Sequence, residues 1–154
     1  MRHLLRLAAL AIVGCAILAS PAAAGSRIKD IVQFEGVREN MLVATLNAPD
    51  SFERAVGALP EGATIEEGGA GLADRVFLFC TSQAELARDF AGAVRRLKKD
   101  GGLWIAWPKL SSRVATDLTM TVIREFAIAR GFVDYKVCAI DNTWSASAYG
   151  RRRV

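Results

Sequence analysis

The chain has 154 residues, of which 52% are hydrophobic and 23% are charged, and its formal net charge at pH 7 is +4. These values are typical of one globular domain and exclude a disordered chain. Loss of a leader that contains Arg2 and Arg6 would lower the charge from +4 to +2, so we expect no nucleic-acid partner.

Residues 1–24 have the order of a secretory signal peptide. Arg2 and Arg6 form a basic start, residues 7–19 are apolar and uncharged, and small side chains precede a cleavage point after Ala24. Pro21 interrupts the apolar run before it is long enough to span a membrane. We predict export to the periplasm and no membrane span after cleavage. A retained anchor and a lipoprotein are the alternatives.

The first structural elements follow a polar segment, residues 25–40, that is interpreted as a strand or a linker. Residues 41–46 form an apolar run that predicts a strand. Asp50 and Glu53 have the spacing of a capping box, which predicts a short helix that ends near Pro60.

Strands and helices then alternate along the rest of the chain. Ser82 and Glu85 form a second capping box, which predicts a helix that ends at the Asp-Gly-Gly sequence of residues 100–102. The remaining predicted elements are strands over residues 63–67, 75–80 and 103–107, a glycine-rich loop over 68–74, a polar loop over 108–116, a helix over 117–130 that Gly131 stops, and strands over 132–140 and 143–149 joined by Asp141 and Asn142.

This order predicts an α/β fold, a three-layer, mostly parallel Rossmann-like sheet with a C-terminal antiparallel hairpin. The domain is predicted over residues 41–150, and residues 151–154 are interpreted as a solvated basic tail. The terminal hairpin resembles the end of class I methyltransferase folds, in which an antiparallel strand is also inserted into the sheet.

The sequence contains no residue set that identifies an enzyme. His3 is the only histidine and lies in the predicted signal peptide, so neither a Ser-His-Asp triad nor a zinc site of His and Cys is expected. No glycine-rich phosphate motif follows the first strand. Cys80 and Cys138 are interpreted as buried small hydrophobic residues, with their redox state left open. We therefore predict a non-catalytic domain without catalytic or metal-binding residues.

Candidate ligand residues lie in two loops beyond the carboxyl ends of the strands, where open parallel sheets bind ligands. Asn47 and Pro49 occupy the place of a nucleotide-binding turn, and Glu66 and Glu67 follow about 20 residues later, where a ribose-binding acid would lie. The second loop offers cations and hydroxyls as an anion pocket. Its candidates are Trp107, Lys109, Ser111, Ser112, Arg113, Thr116 and Asp117.

The predicted ligand of these loops is a small anion, and a protein partner is the other interpretation. The competing explanation of the second loop is that its hydroxyls cap the helix and its cations are solvated. No cofactor is assigned, and S-adenosylmethionine or a nucleotide is the alternative. A methyltransferase-like protein that depends on S-adenosylmethionine is therefore an alternative function.

Two family resemblances overlap at residues 41–43. Residues 26–43, SRIKDIVQFEGVRENMLV, resemble the start of the mature flagellar P-ring protein, which implies a structural role in the basal body. From residue 41 onward the chain resembles a bacterial family known as a domain of unknown function, whose members look cytoplasmic. The motifs that carry this resemblance are LNAP at residues 46–49, AWPK at 106–109, VATDL at 114–118, and DYKVCAID with TWS at 134–145.

These resemblances leave the start of the gene open. A fusion of the two sequences implies a periplasmic protein, whereas a misjoined reading frame with a true start near Met41 implies a cytoplasmic one.

Overall fold

The computed structural model describes residues 37–154, apart from the side chains of residues 54 and 55. The predicted signal peptide and most of the segment 25–40 lie outside the described residues. Among the helices that the structure describes, none is long and apolar enough to cross a membrane.

One mixed sheet of six strands forms the centre of the domain, in the order β2-β1-β3-β4-β6-β5. The first four strands in this order are mutually parallel, and β6 is antiparallel to both β4 and β5. The strands are β1 (Leu42–Leu46), β2 (Thr64–Glu67), β3 (Ala73–Phe79), β4 (Leu97–Pro108), β5 (Phe132–Ala139) and β6 (Trp144–Arg151), and the helices are α1 (Ser51–Val56), α2 (Gln83–Arg96) and α3 (Met120–Ile128).

Apolar residues cover both faces of this sheet, as buried parallel strands require. On one face Leu78 and Ile105 pack against Leu86 of α2 and Ile123 of α3. On the other face Phe77 stacks on Trp104 with ring centroids 5.6 Å apart, next to Phe52 of α1. The prediction of a three-layer α/β Rossmann-like fold with a C-terminal antiparallel hairpin is therefore confirmed.

The link between β2 and β3 contains no helix. Both strands are parallel to β1 and border it on opposite sides, so residues 68–72 must cross β1 and return to the edge at which β3 begins. Gly68 and Gly69 have φ of 73° and 60°, in the left-handed region that glycine occupies without steric cost. We call residues 68–72 the return segment.

The two predicted capping boxes have different outcomes. Asp50 makes no side-chain hydrogen bond at the start of α1, so the first capping box is wrong. At α2 the hydroxyl of Ser82 accepts a hydrogen bond from Glu85 N at 3.2 Å, as predicted. The Glu85 carboxylate, however, accepts from Thr81 N at 2.7 Å instead of from the Ser82 amide.

Two predicted boundaries are also corrected. The helix α2 ends at Arg96, and β4 begins at Leu97, six residues before the predicted strand start at residue 103. The helix α3 begins at Met120 and not at Asp117, because the hydroxyl of Thr119 accepts from Val122 N at 3.2 Å and caps it.

Both ends of the described chain are attached to the domain. Val37 is buried and packs with the core on the α1 face. At the other end Arg151 belongs to β6, and Arg152 N donates to Gly131 O at 2.8 Å. The basic residues 151 and 152 are therefore anchored through backbone contacts while their side chains remain exposed.

We expect Gly101→Ala to lower the free energy of unfolding by about 1–3 kcal/mol, the usual cost of overpacking. A Cβ at Gly101 would lie 2.6 Å from Leu97 Cδ1 and 3.0 Å from the Asp74 carbonyl oxygen. Gly71→Ala is the matched control, because a Cβ there meets nothing within 4 Å. Urea denaturation measures both variants, and equal unfolding midpoints would contradict the packing of Gly101.

Candidate cofactor site

The turn after β1 places Asn47 at the carboxyl edge of the sheet. Its φ is 58°, a left-handed conformation that asparagine adopts more readily than other residues with a Cβ. Asn47 Nδ2 donates to Asp89 Oδ2 at 2.8 Å and to Phe79 O at 3.4 Å. Asn47 thus ties β1 to β3 and α2 from a backbone conformation that more often requires glycine.

Glu67, the last residue of β2, binds the same turn. Its carboxylate accepts hydrogen bonds from Asn47 N at 3.0 Å and from the Thr45 hydroxyl. An ionised carboxylate has about four lone-pair positions, so two donors leave acceptor capacity for a ligand. The Glu67 side chain is exposed at this edge and is available to one.

Glu66 and Glu67 serve different faces of the sheet, because neighbouring residues of a strand point to opposite sides. Glu66 Oε2 lies 3.5 Å from Arg96 Nη2, on the α2 side. Glu67 is therefore the acid of this edge. The alternation of side chains along a strand predicts from the sequence alone that Glu66 and Glu67 lie on opposite faces of the sheet.

The start of α2 adds two carboxylates to the edge. Hydrogen bonds from the amide and the hydroxyl of Thr81 lower the pKa of Glu85 below its ordinary value. A hydrogen bond from Arg88 and a further one from Asn47 lower the pKa of Asp89, against the opposite effect of its partial burial. Both side chains are negatively charged at neutral pH, but Arg88 donates to both carboxylate oxygens of Asp89 at 2.8 Å, so Glu85 carries the charge that favours a positively charged ligand.

The loop predicted as an anion pocket uses most of its polar groups internally. Lys109 Nζ donates to the Asp141 carbonyl oxygen, and the Ser112 hydroxyl donates to Lys109 O at 2.6 Å. The Thr116 hydroxyl accepts from Leu118 N at 3.0 Å. Ser111 and Arg113 are exposed, and Arg113 is in a left-handed conformation with φ of 61°.

Asp117 links this loop to the edge beside β3. It does not lie in the first turn of α3, but its Oδ1 accepts from Gln83 N at 2.8 Å at the start of α2. Two of the predicted residues therefore contact α2: Asn47 bonds Asp89 in the middle of the helix, and Asp117 bonds Gln83 at its first residue. Glu67, which the sequence placed at this edge, completes it together with Thr81, Glu85 and Asp89, which were not among the predicted site residues.

Two predicted site residues have structural roles instead. Trp107 is only 7% exposed and belongs to the core on the α2 side, so its ring is not available to stack on a ligand. Pro49 is half-buried and its carbonyl accepts from Phe52 N at 2.8 Å, which starts α1.

The cysteines belong to different cores. Cys80 is buried on the α2 side of the sheet, and Cys138 packs on the α1 side, so the sheet separates them. Burial, with the nearby charges of Asp89 and Glu85, raises the pKa of the Cys80 thiol to about 12. Cys80 is thus a neutral thiol at physiological pH. Within residues 37–154 no group of His, Cys, Asp and Glu side chains could hold a metal ion.

Several solved structures with a similar fold are methyltransferases. The fold is similar to that of such an enzyme from Aquifex aeolicus, with a TM-score of 0.55, 13% identity, and coverage of 86% of this chain and 94% of the other. For the 1,6-didemethyltoxoflavin-N1-methyltransferase of Burkholderia thailandensis the TM-score is 0.56, the identity 12%, and the coverage 85% and 79%. The fold is therefore a Rossmann-like methyltransferase fold.

A third similar structure is the phosphoethanolamine N-methyltransferase 2 of Haemonchus contortus, with a TM-score of 0.57 and 13% identity. The similarity covers 87% of this chain and 38% of that protein. No protein-family model matches the chain.

One short sequence match supports the resemblance to the flagellar P-ring protein. The chain is 62% identical over 37 residues to the flagellar P-ring protein of Caulobacter vibrioides. The match spans 24% of this chain and 10% of that protein.

These comparisons correct the main functional prediction. The sequence predicted a non-catalytic domain that binds a small anion or a protein partner, chiefly because a glycine motif was missing. The similar structures are methyltransferases, which favours the alternative that depends on S-adenosylmethionine.

We expect Cys80 to be unreactive toward a disulfide reagent in the native protein at pH 8. A pKa near 12 instead of 9.0 lowers the thiolate fraction about a thousandfold, and burial also blocks access. The Cys15→Ser, Cys138→Ser double variant isolates this thiol, and its labelling rate is measured with and without denaturant. Equal rates in both conditions would show that Cys80 is exposed.

Proposed function

We propose that this protein is a methyltransferase that binds S-adenosylmethionine at the carboxyl edge of β1, β2 and β3. The observation that supports this most directly is the contact between Glu67 and the left-handed turn at Asn47. Sheets of this type bind ligands beyond the carboxyl ends of their strands, with an acid of the second strand at the ribose.

The residues of the edge fit the chemical groups of this cofactor. Glu67 retains acceptor capacity for the two ribose hydroxyls. Glu85 gives the edge a negative charge, which suits the positively charged sulfonium and amino groups, whereas the charge of Asp89 is paired with Arg88. When bound, S-adenosylmethionine supplies an electrophilic methyl group.

This chain's residues hold the edge in position for that ligand. Asn47 bonds both Glu67 and Asp89, so the second strand and the helix α2 are fixed relative to the turn. Thr81 fixes the Glu85 carboxylate through its amide and its hydroxyl. Such preorganisation lowers the entropic cost of binding a polar ligand.

Similar structures support the choice of cofactor. The Burkholderia thailandensis enzyme was solved with bound S-adenosylhomocysteine, and the Haemonchus contortus enzyme with S-adenosyl-L-methionine. A methyltransferase binds its product S-adenosylhomocysteine at the same site, so this stable compound is a suitable probe.

We expect the full chain to bind S-adenosylhomocysteine in isothermal titration calorimetry, and Glu67→Ala to weaken binding at least about tenfold, because hydrogen bonds to a charged acceptor are lost. Glu61→Ala is the matched control, since Glu61 is an exposed acid of a distant turn. Circular dichroism establishes that both variants are folded.

Methyl transfer is measured separately, with S-adenosylmethionine labelled in its methyl group and a cell extract as the source of acceptors. Label should appear in the extract with the wild-type chain and fall with Glu67→Ala. Failure of the wild-type chain to bind S-adenosylhomocysteine, or equal binding by Glu67→Ala and the wild type, contradicts the proposed site.

A second proposal concerns the location of the protein. The order of residues 1–24 supports an export leader, and we propose that this leader directs the chain to the periplasm. This proposal is independent of the first, because cofactor binding is measured on purified protein.

We expect N-terminal sequencing of the natural product, isolated from the periplasmic fraction, to begin at Gly25, because signal peptidase prefers the small residues before it. An Ala24→Phe substitution should block cleavage, and Ala19→Val should not. A cytoplasmic product that begins near Met41 would contradict export.

A further inference from the structure

The amino edge of the sheet, opposite the proposed cofactor edge, is rich in exposed cations. The four parallel strands begin here, and β6 ends here because it is antiparallel to β4. Two adjoining cavities of about 590 and about 410 Å³ lie along this edge and share Lys99, Asp100 and Gly101 in their walls. The exposed cations of these walls form what we call the basic edge: Arg38, Lys98, Lys99, Arg151, Arg152 and Arg153.

Few acids balance the charge of the basic edge. Asp74 Oδ1 lies 2.8 Å from Lys98 Nζ and pairs with it. None of the other five cations forms an ion pair within residues 37–154. The remaining acids in the two cavity walls are Asp100 and the carboxylate of the C-terminus. The surface therefore carries an excess of positive charge.

Contacts with the domain hold part of this charge in place. Arg151 is the last residue of β6, and its Nη2 donates to Val94 O at 3.2 Å. Its guanidinium also lies 5.4 Å from the centre of the Phe132 ring. The next residue, Arg152, donates its amide to Gly131 O at 2.8 Å. The arginines of residues 151 and 152 thus belong to a fixed surface rather than to an unattached tail.

Exposed apolar side chains border the same surface. Val133 is 39% exposed and pairs with Gly150 between β5 and β6. Tyr135 is 55% exposed, and its Cε1 would lie 3.9 Å from a Cβ at Gly150, which lines the larger cavity. Val154 is also exposed in the wall of that cavity. Cations beside aliphatic and tyrosine side chains are typical of surfaces that lie at a membrane interface.

We propose that the basic edge binds the headgroups of an anionic phospholipid bilayer, so that the domain lies on the membrane without crossing it. Each cation near such a surface strengthens binding about fivefold. A nucleic acid would also attract the cations, but it has no apolar phase for Val133 and Val154, whereas the boundary between headgroups and acyl chains has one. The cofactor edge then faces away from the bilayer, so this proposal is independent of methyl transfer.

The test is co-sedimentation of the full chain with vesicles of phosphatidylglycerol and phosphatidylcholine in equal parts, with pure phosphatidylcholine vesicles as the reference. We expect stronger binding to the anionic vesicles. The double variant Arg152→Gln, Arg153→Gln should weaken that binding on the order of twentyfold, because two cations are lost. The matched control Arg113→Gln, Arg124→Gln removes two exposed charges outside the basic edge and should keep the wild-type affinity.

Every chain in this comparison retains residues 1–24, so a contribution of the predicted leader to binding is the same in each. All four substitutions replace exposed side chains, and circular dichroism checks that both double variants are folded.

The orientation is tested with nanodiscs of the same anionic lipids that carry a spin label on their headgroups. We expect broadening of the backbone ¹H–¹⁵N resonances of Gly101, Gly150 and Arg152, and none at Asn47 and Asp89. Equal binding to anionic and neutral vesicles, equal weakening by the two double variants, or broadening at the cofactor edge would overturn the proposal. Binding of single-stranded RNA without binding to anionic vesicles would assign the cations to a nucleic acid instead and overturn it as well.

Discussion

The backbone at Asn47 is the constraint on which the arrangement of the carboxyl edge depends. With a φ of 58°, it turns the chain out of β1 while its amide bonds Glu67 and its side chain bonds Asp89. One residue therefore connects the ends of β1 and β2 with the helix that follows β3. A residue that cannot adopt this conformation would separate these three elements.

The first and last turns of the helix α2 carry opposite charges. Its first half contains Glu85 and Asp89, and its last turn contains Arg95 and Arg96, the distribution that the helix dipole favours. The acidic end meets the turn at Asn47, and the basic end meets the return segment. The negative charge of Glu85 therefore lies at the edge proposed for the positively charged cofactor.

The order of the elements could be predicted because apolar runs and turn residues alternate clearly. The start of β4 could not, since Lys98, Lys99 and Asp100 are polar, and the glycines after them are typical of a helix stop. In the structure a Cβ at Gly101 would lie too close to Leu97 and to the Asp74 carbonyl oxygen. A Cβ at Gly102 would lie close to the side chains of Tyr135 and Arg75. Except for Leu97, these neighbours are distant in the sequence, so the sequence could not show why glycine stands here.

Sequence reasoning about the site failed for a related reason. A missing glycine motif argued against a cofactor, although asparagine can adopt the same left-handed conformation. Polar residues in the loop 109–117 suggested a pocket, yet Lys109, Ser112 and Thr116 bind the backbone of their own surroundings. Glu66 and Glu67 could be placed at this edge from their distance along the chain, whereas Asp89 becomes a neighbour of Asn47 only through contacts between distant segments.

The position of the cofactor is the central claim, and a crystal structure of the chain with S-adenosylhomocysteine tests it most directly. The account predicts adenosine density beyond β1 and β2, with both ribose hydroxyls on the Glu67 carboxylate and the turn at Asn47 unchanged. Density elsewhere on the domain, or a Glu67 side chain that makes no contact with the ligand, would contradict it.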